Sequence, residues 1–167
     1  MGFVREIAGV TWVMLVDALG HGPKAAEAAA LAVEAAEQFT AAFSVERAFA
    51  LLHERLHGSR GAAAALLRFE ATALSFAGVG NVELRTLAGP PIPYMATNGV
   101  LGARMPQPRV GEIELSEPGR ALLFTDGIAR GTPLHAMVGL DPELLCDTLI
   151  AKHSLERDDA TVLHVAY

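Results

Sequence analysis

Several features are scarce in this chain, and each scarcity excludes a class of protein. Of 167 residues only one, Cys146, is a cysteine, which excludes an internal disulfide framework and fits a reducing compartment such as the cytoplasm. The 13 basic residues are scattered among 19 acidic ones, giving a formal net charge of -6, so nucleic acid is not an expected partner. The apolar segment 9–16 ends at Asp17, too short for a membrane span and poorly placed for a signal peptide.

Apolar residues, by contrast, are plentiful. They make up 51% of the chain, and the mean hydropathy is +0.33. A chain of this length supplies enough apolar surface for one sizeable core, so we expect a single domain over residues 1–167. No internal repeat or linker divides it.

Hydrophobic periodicity predicts an α+β fold. The β-branched run at 10–16 indicates a strand buried on both faces, followed by an Ala-rich helix beginning near Pro23 and a second helix capped by Ser44. The pattern then changes to short strands, with a surface loop over 89–108 that holds one short strand around Tyr94. The remaining predicted strands lie at 66–69, near 74–76, 82–84 and 113–115, at 121–125 and at 161–165, with a helix at 142–152 before the last of them. This order favours mostly antiparallel sheets flanked by helices.

Three aspartates stand at predicted strand ends. Asp17 and Asp126 each end a buried strand, and Asp158 precedes the last one. Carboxylates gathered at one end of a sheet repel each other and lose solvation unless hard cations neutralise them, and Mg²⁺ and Mn²⁺ suit such oxygen sites. Taken singly, each motif also has a structural explanation, because Asp-Gly is a common turn and Asp158-Asp159 could simply precede a strand in a solvated loop.

Four motifs follow one another along the chain: Val16-Asp17-Ala18-Leu19-Gly20-His21-Gly22, Gly78-Val79-Gly80-Asn81, Leu123-Phe124-Thr125-Asp126-Gly127 and Arg157-Asp158-Asp159-Ala160-Thr161-Val162. In this order they resemble the metal-dependent Ser/Thr protein phosphatases (type 2C, PPM), and among them the bacterial sporulation and stress-response branch. The resemblance implies two antiparallel sheets sandwiched between helical layers (αββα). It also implies two Mn²⁺ or Mg²⁺ ions, with Asp17 bridging both, the Ala18 carbonyl on one, and Asp126 and Asp158 on the other.

The same resemblance implies hydrolysis of phosphoserine or phosphothreonine by a metal-bound water, without a catalytic cysteine. His21 is a candidate general acid for the leaving oxygen, although a loop histidine is equally explained by solvation. Family analogy points to a phosphorylated partner, such as an anti-sigma-factor antagonist or a stressosome scaffold. Cys146 is expected to be structural. Of the acidic pair, the resemblance implies that Asp158 is the ligand. Alternation along an extended backbone adds a physical reason, because it would turn adjacent Asp159 to the other face.

Other interpretations stay open at this stage. Relatives usually carry an acid before the first strand, whereas Glu6 is the only early acid here, so either the site lacks an outer contact or the natural start lies upstream. A non-catalytic phosphoprotein-binding module and a small-phosphoester hydrolase are the alternatives. His53 and His57, at i, i+4 spacing on a predicted helix, have no further ligands beside them and are expected to be a surface pair.

Overall fold

The computed structural model describes residues 1–156 and 158–167, so that Arg157 of the fourth motif lies outside the described residues. In chain order the elements are β1 (Gly2–Ile7), β2 (Val10–Ala18), α1 (Pro23–Ala36), α2 (Val45–Arg55), β3 (Ala62–Phe69), β4 (Ala73–Val79), β5 (Glu83–Ala88), β6 (Gly111–Glu114), β7 (Arg120–Phe124), a 3₁₀ turn (Leu134–Met137), α3 (Pro142–His153) and β8 (Val162–Ala166). The predicted α+β class is confirmed.

The strands form two antiparallel sheets. The larger has the order β1-β2-β3-β4-β6, and the smaller has the order β5-β7-β8. Strand β2 lies inside the larger sheet, where Asp17 pairs with Ala63 and Ala18 with Ala62 of β3. The last residues of β2 are therefore held by a neighbouring strand rather than by a free loop.

Alternation of side chains along β2 divides the core into layers. Trp12 and Met14 pack with α1 and α2 on one face of the large sheet, whereas Val13 and Leu15 pack against the small sheet. The outer face of the small sheet, including Leu122, packs on α3. The layers are thus helices, sheet, sheet and helix, the sandwich that the resemblance implied.

Helices α2 and α3 each begin at a capping side chain. The Ser44 side chain accepts a hydrogen bond from the Arg47 N–H at 3.3 Å, which satisfies one free donor of the first turn of α2. Asp141 caps α3 in the same way through the Glu143 N–H. Within residues 1–156 and 158–167, no helix combines the length and the apolar character that crossing a membrane requires.

Three local predictions were wrong. Tyr94 lies in no strand, because Pro91 and Pro93 remove backbone donors from this segment. Strand β1 was not anticipated, although it pairs with β2 along its whole length. His57 lies beyond the end of α2, so it does not share a helical face with His53, whose Nδ1 instead accepts the Gly102 N–H at 3.0 Å.

Candidate metal-binding active site

Side chains alternate between the two faces of β2, and this alternation sets the direction of Asp17. Val13 and Leu15 face the space between the sheets, and two residues further on Asp17 has the same orientation at the strand end. The apolar side chains between the sheets end at this point, and the Asp17 side chain is half-buried. A carboxylate is thus placed where the inter-sheet core opens to solvent.

Asp126 comes to the same end from the small sheet. It follows Thr125, which is only 1% exposed and lies just beyond β7. At the next residue, Gly127, a Cβ atom would collide with the carbonyl oxygen of Asp159, so only glycine allows this close approach. The turn that carries Asp126 therefore lies directly against the segment that carries the second acidic pair.

Asp158 and Asp159 lie in the irregular segment before β8. The Asp158 N–H donates to the Leu155 carbonyl at 3.2 Å, and Oδ1 of Asp158 accepts the Asp159 N–H at 3.0 Å. Since this segment is not extended, the strand alternation expected to separate the two side chains does not operate here. Both residues line the cavity described next, and the assignment of Asp158 as the ligand stays a prediction.

One open cavity of about 530 Å³ gathers the predicted residues. His21 lies at this cavity and is exposed, with no hydrogen bond to the described residues. The lining consists of Asp17, Ala18, Leu19, Gly20, His21, Asn81, Asp126, Glu156, Asp158 and Asp159. The structure thus brings all the residues predicted for the site to one place.

Several carboxylates lie close together around the cavity, and their negative charges repel one another. Burial and the nearby negative charge of Asp126 raise the pKa of Asp17 to about 6, and Asp158 and Asp159 add smaller effects in the same direction. The nearby N-terminal amine acts in the opposite direction but is outweighed. Ionised Asp17 is therefore held in an unfavourable environment that a cation would relieve.

The carboxylates of the cavity fit hard divalent cations that keep part of their water shell. Among residues 1–156 and 158–167, no three acidic, histidine or cysteine side chains are grouped closely enough to hold one ion. Mg²⁺ and Mn²⁺, however, commonly take one or two carboxylates and keep several waters. The carboxylates distributed around this open cavity fit an ion that keeps several of its waters better than a fully enclosed one.

Three polar or charged lining residues had received no role from the sequence: Asn81, Glu156 and Asp159. The amide nitrogen of Asn81 donates to Oδ2 of Asp126 at 2.5 Å. Asn81 ends the second motif, so the sequence contains a sign of its importance. Nothing in the sequence indicates that its partner is Asp126, 45 residues away. Glu156 had no signal, because it follows no strand and belongs to no motif.

The remaining candidates lie elsewhere. Cys146 is half-buried on α3, and burial raises the pKa of its thiol, as expected of a structural rather than a nucleophilic cysteine. His53 is engaged with the Gly102 backbone, and His57 is exposed near Arg60 in a separate depression. None of these three residues lines the acidic cavity.

Several solved structures share this architecture. A chain from a study of "the bacterial stressosome: a modular system that has been adapted to control secondary messenger signaling" has 32% identity and a TM-score of 0.88, covering 100% of this chain and 90% of that one. RsbX in complex with magnesium has 19% identity and a TM-score of 0.82, with coverage of 99% and 85%. The serine/threonine phosphatase PstP/Ppp of Mycobacterium tuberculosis has 15% identity and a TM-score of 0.68, with coverage of 99% and 90%.

The chain shares its fold with these solved structures, among them the serine/threonine phosphatase PstP/Ppp. The sequence model described as Stage II sporulation protein E (SpoIIE) matches residues 8–167. The chain therefore belongs to the Stage II sporulation protein E family. A search of the curated proteins returns no match.

Proposed function

We propose that this chain is a metal-dependent protein phosphatase that removes phosphate from serine or threonine. The observation that carries the proposal is the single cavity lined by Asp17, Asp126 and Asp158, in which burial and like charge raise the pKa of Asp17 to about 6. Such an arrangement destabilises the fold, and a structural role would not require it. A cation-binding role accounts for it.

Four groups would hold two Mn²⁺ or Mg²⁺ ions in this cavity. Asp17 lies between the two sheets and would bridge both ions, with the main-chain carbonyl of Ala18 on one of them. Asp126 and Asp158 would hold the other ion. Their two segments lie against each other where Gly127 approaches the backbone of Asp159. When bound, ions of this kind make a water molecule nucleophilic and offset the charge of the phosphoryl oxygens.

The side chains at the rim have more limited roles. Exposed His21 would donate a proton to the departing serine or threonine oxygen, because an imidazolium is a common general acid. The exposed rim would admit a phosphorylated loop of another protein, since the cavity opens to solvent. Cys146 takes no part, because it lies on α3 outside the cavity.

The substrate class follows from the relatives by analogy. A relative with 32% identity comes from a stressosome study, and the RsbX structure has the same fold with magnesium. We therefore propose a cytoplasmic phosphorylated signalling protein, either a stressosome scaffold or an anti-sigma-factor antagonist, as the partner.

Two other functions would use the same fold, and one experiment separates them. The purified chain is incubated with Mn²⁺ and either a phosphoserine protein of the stressosome class or a small aryl phosphate, and phosphate release is measured. Release from the protein at a much higher kcat/KM than from the aryl phosphate supports the proposal. Preference for the small ester would identify a small-phosphoester hydrolase. Binding of the phosphoprotein without release would identify a non-catalytic module.

A further inference from the structure

Asn81 makes a polar contact across the mouth of the cavity. It lies in the turn between β4 and β5, and its Nδ2 donates to Oδ2 of Asp126 at 2.5 Å. An ionised carboxylate only accepts hydrogen bonds, so the amide nitrogen, and not the amide oxygen, must face Asp126. This contact joins the large sheet to the small one beside the predicted metal ligands.

The turn that carries Asn81 is held on both sides. The Gly80 N–H donates to the Thr97 carbonyl at 2.9 Å, and the Thr97 N–H donates to Gly78 at 2.8 Å. On the other side the Tyr94 hydroxyl donates to the Val82 carbonyl at 2.9 Å. The backbone around Asn81 is therefore fixed by contacts independent of Asp126.

Gly80 restricts the turn further. Its φ of 93° lies in the left-handed region, and a Cβ atom there would collide with Ala63 of β3. The turn thus lies directly on β3, the strand that pairs with Asp17. Asn81 is an amide donor on a rigid support, although its own side chain is exposed.

We propose that Asn81 is a positioning residue that orients Asp126 for metal binding, an inference that rests on the proposed function. Donation to Oδ2 fixes the rotation of the carboxylate and leaves Oδ1 free to ligate. Because the amide is neutral, it orients Asp126 without cancelling the negative charge that attracts the cation. Outer hydrogen bonds of this kind commonly change metal affinity by about 10- to 100-fold when they are removed.

The test measures Mn²⁺ binding by isothermal titration calorimetry, independently of turnover. Asn81→Ala should raise the Kd for Mn²⁺ about tenfold. Asn81→Leu, which keeps the branched shape without the amide, should give the same increase. Asn98→Ala is the matched control, since Asn98 is exposed nearby and makes no side-chain hydrogen bond to the described residues. Its Kd should stay within about twofold of wild type, a difference under 1 kcal/mol.

A second readout separates orientation from general damage. At saturating Mn²⁺ the kcat of Asn81→Ala should return close to the wild-type value, whereas a collapsed turn would lower kcat at every metal concentration. An unchanged Kd in Asn81→Ala, an effect absent from Asn81→Leu, or a kcat that Mn²⁺ does not restore would each overturn the inference while leaving the proposed function intact. If wild-type protein binds no Mn²⁺, the proposed function fails first and this inference fails with it.

Discussion

Thr125 and Thr161 are joined by two hydrogen bonds at the end of the small sheet. The Thr161 N–H donates to Oγ1 of Thr125 at 3.0 Å, and the Thr125 N–H donates to the Thr161 carbonyl at 3.1 Å. Oγ1 of Thr125 also donates to the Asp159 carbonyl at 3.3 Å. One buried hydroxyl therefore links the residue before Asp126 to the segment that carries the acidic pair.

Replacement of the Thr125 hydroxyl should lower the stability of the protein. Thr125→Val keeps the side-chain shape but leaves the Thr161 N–H without its acceptor, so we expect a loss of about 1 to 3 kcal/mol in the free energy of unfolding. Urea denaturation measures it. Thr72→Val is the control, because Thr72 is exposed and its hydroxyl has no partner among the described residues. Equal stability of both variants would contradict the linking role of Thr125.

Asp17→Asn should stabilise the protein in the presence of chelator. The pKa of Asp17 is raised from 3.8 to about 6, mainly by burial and then by Asp126, so its ionised form destabilises the fold at neutral pH. Asparagine removes this cost. After allowance for solvent screening of a half-buried group, we expect a gain of about 1 kcal/mol at pH 7.5. Thermal unfolding with EDTA measures it.

The stability gained by Asp17→Asn should depend on pH. Above pH 6 Asp17 is ionised in both the folded and the unfolded state, so the full cost is present. As the pH falls towards 4, the folded state binds the proton first and the cost disappears. The advantage of Asp17→Asn should therefore vanish near pH 4. An advantage independent of pH would contradict the assigned cause.

Asp158→Ala should abolish metal-dependent turnover, whereas Asp159→Ala should retain most of it. Both side chains line the cavity, but the charge of Asp158 raises the pKa of Asp17 more than that of Asp159 does. Hydrolysis of a phosphopeptide at several Mn²⁺ concentrations compares the two variants. The reverse order of activities would make Asp159 the ligand.

Alkylation of Cys146 should leave phosphatase activity unchanged. The thiol lies on α3 away from the cavity, and burial raises its pKa, so the reactive thiolate is disfavoured. The wild-type protein and Cys146→Ser are treated with iodoacetamide and assayed for phosphate release with Mn²⁺. Inactivation of the wild type alone would indicate cysteine chemistry.

Elements with strong local signals were predictable. Strand β2 combines β-branched residues with burial on both faces, and Ser44 is a favourable cap for α2. Strand β1 was missed because its outward-facing positions, such as Val4, are exposed, and its turn places Ala8 at a φ of 49° in a position that usually calls for Asn or Gly. The predicted strand around Tyr94 failed for a local reason, because Pro91 and Pro93 have no backbone N–H to donate.

For the site, alternation along β2 was enough to place Asp17 at a strand end. The contact between Asn81 and Asp126 depends instead on how two sheets stack, which no periodicity in the sequence specifies. Asp158 and Asp159 lie in an irregular segment, so strand alternation does not predict where their side chains are directed. The structure brings the predicted site residues to one cavity, whereas Glu156 and the contacts between the lining residues could not be predicted from the sequence.

Phosphate release from a phosphoserine protein, measured with Mn²⁺ and then with EDTA, tests the central claim most directly. We expect release by the wild type with Mn²⁺, none with EDTA, and at least a 100-fold loss in Asp17→Asn, equivalent to about 2.7 kcal/mol of barrier. Asp147→Asn should match the wild type. Release that persists in EDTA, or an Asp17→Asn activity within about threefold of wild type, would contradict a metal-dependent phosphatase centred on Asp17.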